Sequence, residues 1–164
     1  MRNWTDQDYQ LIPIGLTLSL DQKVITIRVV GSPAPQGSKR FMGLGGNGKG
    51  KLVESSKAVG PWREAVKAAA ASDYPALLDG PLAVQMIFTV KKPASAPKFR
   101  RLWPTHAPDL SKLVRSTEDA LAEAGVFTND ARIVHCVAAK VFPNEGSDAM
   151  PVPGCVIRVA EIVG

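Results

Sequence analysis

The order of elements in this sequence predicts an α/β (α+β) fold: one domain in which a mixed β-sheet is packed by two main helices. Three observations carry that expectation. Runs rich in β-branched residues, bounded by Gly and Pro, recur at 23–30, 82–92, 131–142 and 154–163, each with the length and composition of a strand. Two other stretches, 55–72 and 109–124, repeat apolar residues at helical spacing. The resulting order, β, loop, α, β, loop, α, β, β, shows no internal repeat and interleaves helices with strands as a mixed sheet requires.

Along the chain, residues 1–21 are mixed in character; a short strand around 16–20 is one reading, and the segment stands as an N-terminal extension of unassigned role ahead of a domain spanning 22–164. "KVITIRVV" (23–30) is the first clear strand. The following stretch, 31–51, holds seven glycines, two prolines and four basic residues, which resists packing and reads as a mobile loop. A helix from Ser55 or Ser56 to about Ser72 is disturbed at Gly60 and Pro61 and puts Trp62, Val66 and Ala69 on one face. After the strand at 82–92, "PASAPKFRRLWPTHAP" is a Pro-rich basic connection. In the second helix Leu110, Leu113, Val114, Thr117, Ala120, Leu121 and Ala124 occupy an arc of about 120°, a face for burial. Gly125 ends it.

Charge narrows the function classes. The chain is basic, net +5 with pI near 9.4, which suits a polyanionic partner. No Asp or Glu occurs in 22–53 or 80–108, and these windows hold over half of the 20 Lys and Arg residues. No apolar run reaches the roughly 18 residues of a membrane span, and the first residues lack the basic-then-apolar order of a signal peptide, so the chain reads as cytoplasmic. Cys136 and Cys155 form no CxxC and only His106 and His135 accompany them, which excludes a zinc site of usual spacing; both thiols are expected buried and reduced. Any metal must then be held by oxygen ligands, as Mg2+ or Mn2+ is.

Two glycine motifs prove weak. Gly43, Gly45 and Gly48 spell GxGxxG, and Gly43 to Lys49 spell GxxxxGK, but a P-loop needs a hydroxyl after the lysine and a helix to cradle the phosphate. Here Gly50 follows, then "KLVESS". A nucleotide-binding enzyme is therefore the weakest reading, and a basic loop that tracks DNA is stronger. The second basic segment, Lys91, Lys92, Lys98, Arg100 and Arg101 with Phe99 and Trp103 among them, has the interleaved charge and aromatics of a phosphate-backbone contact. Against these cationic windows stands the acid-bearing stretch "PDLSKLVRSTEDALAEAGVFTNDARIV" (108–134). Asp109 there could simply cap a helix, and Arg115 with Glu118 and Asp119 could be surface pairs. Together the acids suit convergence on a divalent ion that neutralises a phosphate.

At these residues the sequence resembles the RusA family of Holliday junction resolvases, dimeric magnesium-dependent endonucleases. The family pattern runs Asp, any residue, Asp, Asn, two residues, Lys, three residues, Asp, any residue, Leu, a short turn, an aspartate pair, and a strand ending near a lysine. Asp109 takes the first acid's place, Arg115 the lysine's, Asp119 and Leu121 the later helix positions, and Asn129 with Asp130 the aspartate pair; "AEAGVF", "DARIV" and Lys140 keep order and spacing. The similarity is strongest over 108–142, "VVGSPAPQGSKR" extends it upstream, and the first twenty residues lie outside it. Two positions depart: Ser111 stands for the second acid and Lys112 for Asn.

The resemblance implies a RusA-like fold and a homodimer that nicks opposed strands of a four-way junction in recombination and repair. It implies Asp109, Asp119 and Asp130 as Mg2+ ligands (Mn2+ as the alternative), with Arg115 completing the catalytic set by holding the phosphate or stabilising its charge. Ser111, Arg115 and Glu118 project to one side of the helix; of the two acids available to replace the missing ligand, Asp119 is ranked above Glu118, seven residues (about 10 Å of helix) from Ser111. Lys39, Arg40, Lys49, Lys51, Lys98, Arg100, Arg101 and Lys112 are expected along the DNA. The second reading is a DNA-structure-binding protein of the same fold whose cleavage is weakened by Ser111.

Overall fold

The computed structural model describes residues 24–37, 39–44, 50–54, 57–71, 77–97, 100, 102–146 and 148–162; the extension at 1–21 and the strand proposed at 16–20 lie outside them. Strand β1, Ile25–Val30, alternates buried and exposed residues, the pattern of a strand with one covered face. It pairs antiparallel with β6, Gly154–Glu161, and β6 pairs antiparallel with β4, Leu82–Thr89. Strand β5, Ile133–Val141, lies parallel to β4 at the edge, so the sheet order is β1-β6-β4-β5. The single parallel pair follows from connectivity: a long crossover carrying a helix returns the chain in the same direction.

That crossover helix is α2, Leu110–Glu123, which packs with α1, Val59–Ala71, on one side of the sheet. Leu113, Ala120 and Leu121 of α2 and Trp62 and Val66 of α1 are almost fully buried against Val84, Met86 and Phe88. Truncating one such leucine typically costs about 2–5 kcal/mol. Buried polar groups find partners at the helix contact: the Trp62 indole donates to Thr117 Oγ1 at 3.1 Å, and the Ser116 hydroxyl donates to Ala34 O at 2.7 Å. The mixed sheet with two helices is the α+β domain the sequence predicts.

Three local expectations are corrected. Residues 31–51 are not loop throughout: β2, Lys39–Leu44, and β3, Gly50–Glu54, form an antiparallel hairpin separate from the main sheet. A hairpin satisfies its ladder between its own strands, so glycine content around it does not forbid it, and Gly50 opens a strand where a P-loop would open a helix. Helix α1 begins at Val59 rather than at 55 or 56, with Gly60 and Pro61 in its first turn; proline is tolerated there because the first amides have no intrahelical acceptor. Finally, Cys155 is buried but Cys136 is exposed, because β5 is an edge strand. Among the described residues no helix is long and apolar enough to cross a membrane.

Candidate active site

The site begins where the chain enters α2. Asp109 occupies the N-cap with extended backbone (φ −66°, ψ 133°), yet its side chain makes no capping hydrogen bond. A capping aspartate accepts from an amide two or three residues on; this carboxylate instead lies exposed and pairs with Lys112 at 3.0 Å. Strand β5 holds the approach to it: Lys140 Nζ donates to His106 O at 2.9 Å and to Pro108 O at 2.8 Å. On the other side, Gln36 N donates to Lys112 O at 2.9 Å, so the segment leading to the basic hairpin is tied to the first turn of α2.

At the far end α2 stops in a Schellman arrangement. Gly125, at φ +76°, donates to Ala122 O and Val126 to Leu121 O, the left-handed turn that glycine adopts without side-chain strain. The reversal carries the chain to Phe127, which bridges to Leu78, and on to a 3-10 turn, Asp130–Arg132, capped by the Asn129 side chain accepting from Ala131 N at 2.8 Å. Asp79 braces both flanks of this turn: it accepts from the Thr128 hydroxyl at 2.7 Å and pairs with Arg132 at 2.9 Å. The Glu161 carboxylate in turn accepts from the amides of Asp79 and Gly80. Sequence reading missed this brace, and a lone Asp in "LLDG" carries no local signal of it.

Between α2 and the turn lies an open concavity of about 680 Å3, lined by Ser111, Arg115, Glu118, Asp130 and Ala138 with Leu110 and Val114. Partial burial first, and then the negative charges of Asp130 and Asp119, push the Glu118 carboxyl above its ordinary value, while Arg115 pulls it down. Glu118 and Asp130 therefore share a field. The packed surroundings, and secondarily Glu118, raise the Cys136 thiol to about 11, so it is protonated and no metal ligand at neutral pH.

The expected residues are thus distributed as follows. Arg115 and Asp130 line the concavity together with Glu118 and Ser111; Asp109 sits one residue before its first lining residue. Asp119 turns toward α1, 3.8 Å from Arg63. Arg100 is exposed, Lys112 pairs with Asp109, and Lys39, Arg40 and Lys51 lie on the hairpin strands. Lys49, Lys98 and Arg101 fall outside the described residues.

Among the described residues no group of three or more His, Cys, Asp and Glu side chains could hold a metal ion. The two carboxylates that line the concavity, Glu118 and Asp130, are oxygen donors of the kind a hard divalent cation takes one or two of while keeping several waters. Comparison with curated proteins gives no match. The pattern of the family described as endodeoxyribonuclease RusA does match, over residues 31–148, a span that takes in the hairpin, both helices, β4 and β5 together with Asp79, Asp109, Glu118, Asp119 and Asp130. With that span well over half of its 164 residues, the chain belongs to the RusA family of endodeoxyribonucleases, resolvases of Holliday junctions.

Proposed function

We propose that this chain is a magnesium-dependent endonuclease that, as a homodimer in the cytoplasm, resolves four-way DNA junctions by paired nicks. The observation that carries the reading is that Glu118 and Asp130 line one open concavity, where burial first and then the negative charge of Asp130 raise the Glu118 carboxyl, with no salt bridge among the described residues engaging either. A fold retains such repulsion where a cation relieves it.

In this reading Asp130 and Glu118 hold Mg2+ (Mn2+ would serve), and Asp109, uncommitted as a cap, reaches the ion or its waters from the helix start. Asp119, engaged with Arg63, contributes charge more than a direct bond. A divalent ion held there supplies charge neutralisation at the scissile phosphate. Arg115 grips the phosphate with a guanidinium that stays charged and does not donate a proton to the leaving oxygen. The hairpin cations Lys39, Arg40 and Lys51, together with Lys49, Lys98, Arg100 and Arg101, follow the DNA arms, so affinity falls steeply as salt rises.

The test is a labelled four-way junction incubated with protein and Mg2+: symmetric nicks are expected, abolished by Asp130→Asn and by chelation. The second reading, junction binding without efficient cleavage, draws on Ser111 and on the lack of a three-acid group among the described residues; binding without nicks in either Mg2+ or Mn2+ would establish it instead.

A further inference from the structure

Pro108 lines a second concavity, and the residue after it is Asp109, at the start of the acidic site. This hollow of about 460 Å3 falls in the ~300–1,000 Å3 range of built ligand cavities. Its walls are flat and apolar: the half-exposed Trp103, Phe142 and Pro104, with Lys91 and His106 exposed at its rim. No carboxylate lines it among the described residues.

The wall is held from behind. Glu145 accepts from the Leu102 amide at 3.1 Å and from the Lys92 ammonium, which also lies 5.8 Å from the centre of the Phe142 ring. Lys140 grips the carbonyls of His106 and Pro108 at the other end. The segment that presents Trp103 is therefore pinned at both ends, and one of those pins, Lys140, also sets the approach to Asp109.

We propose that this cavity receives an unstacked nucleobase of the DNA strand being cut, stacked on Trp103, with Lys91 and His106 meeting the flanking phosphates. The proposal rests on the DNA-cleaving reading above. A π-face accepts any base, a cationic rim suits the phosphates on either side of it, and a junction crossover offers bases that are cheap to unstack. Lodging one base beside Pro108 would set the register of the strand relative to the carboxylates.

The experiment compares, in EDTA, binding of a single-stranded oligothymidylate and of an abasic oligomer with the same number of phosphates. The expected result is about tenfold tighter binding of the base-bearing strand, lost in Trp103→Ala and largely kept in Trp103→Phe. Equal binding of the two strands by the unaltered protein, or a preference that survives Trp103→Ala, overturns the proposal. On the unaltered protein, photocrosslinking of a 5-iodouracil strand is expected to label the peptide bearing Trp103; labelling elsewhere alone overturns it without any variant having to fold. Junction nicking measured on the same preparation separates the two readings. Nicking without base preference removes only the cavity's role, and base preference without Asp130-dependent nicking removes only the nuclease.

Discussion

Helix α2 carries acids on both flanks of its buried face, and the two flanks are treated differently. On the α1 side, Asp119 and Glu123 meet Arg63, and Glu123 also meets Lys67, whose ammonium is raised first by its hydrogen bond to Glu64. On the β5 side, Glu118 meets Asp130, and the nearest described cation acting on it, Arg115, offsets only part of the repulsion. Acids of the first kind join two helices. Acids of the second kind lack such a partner among the described residues, and in the proposed reading a ligand of opposite charge supplies it.

The largest effects are expected where the uncompensated flank is altered. Asp130→Asn should lower magnesium-dependent nicking by at least ~100-fold, the scale of a lost metal ligand's charge stabilisation, while the exposed position keeps the change in stability within ~0.5 kcal/mol. Glu118→Gln should cut nicking comparably and, because it removes a repelled and partly buried charge, should melt at a higher temperature than the parent in EDTA. Calorimetry beside the junction assay reads both. A Glu118→Gln protein that melts lower would mean that this flank is compensated by contacts beyond those described, and the contrast between the flanks would dissolve.

A smaller loss is expected from Asp79→Ala, which touches neither flank but removes the acceptor shared by Thr128 and Arg132. Displacing Asp130 by a fraction of an ångström should reduce nicking about tenfold. Because the effect passes through position rather than charge, Asp79→Asn, which still accepts from the Thr128 hydroxyl, should recover much of the activity.

Much of this was legible in the sequence, and what was not has identifiable causes. The helices and main strands follow from local periodicity, which a chain cannot disguise when one face must be buried: Leu113, Ala120 and Leu121 fall inside the expected arc. Periodicity alone does not rank Glu118 against Asp119. These neighbours stand 100° apart on either flank of that arc, and which flank faces β5 is decided by where α1 docks, a contact between residues more than fifty positions apart. The hairpin was hidden because glycine counts report on a segment's average, whereas Arg40–Phe41 pairing with Val53–Leu52 needs only a few compatible residues. Asp109 was recognisable as a helix start, but that its side chain makes no capping hydrogen bond depends on the fold around it.

The smallest effect is expected on the compensated flank, and it is the sharper control because it alters the residue adjacent in sequence to Glu118. Asp119→Asn removes one partner of Arg63 at 3.8 Å but leaves Glu123 to hold the same guanidinium. A partly exposed pair of this kind contributes a few tenths of a kcal/mol, so the melting temperature should fall by about 1 °C or less. Nicking should stay within a few-fold of the parent, with a slightly weaker requirement for Mg2+ at Glu118 because one of the two like charges acting on that carboxyl is gone. If Asp119→Asn instead abolished nicking while leaving the fold intact, the ion pair with Arg63 would be a resting arrangement that opens on metal binding. Both flanks of α2 would then belong to the site.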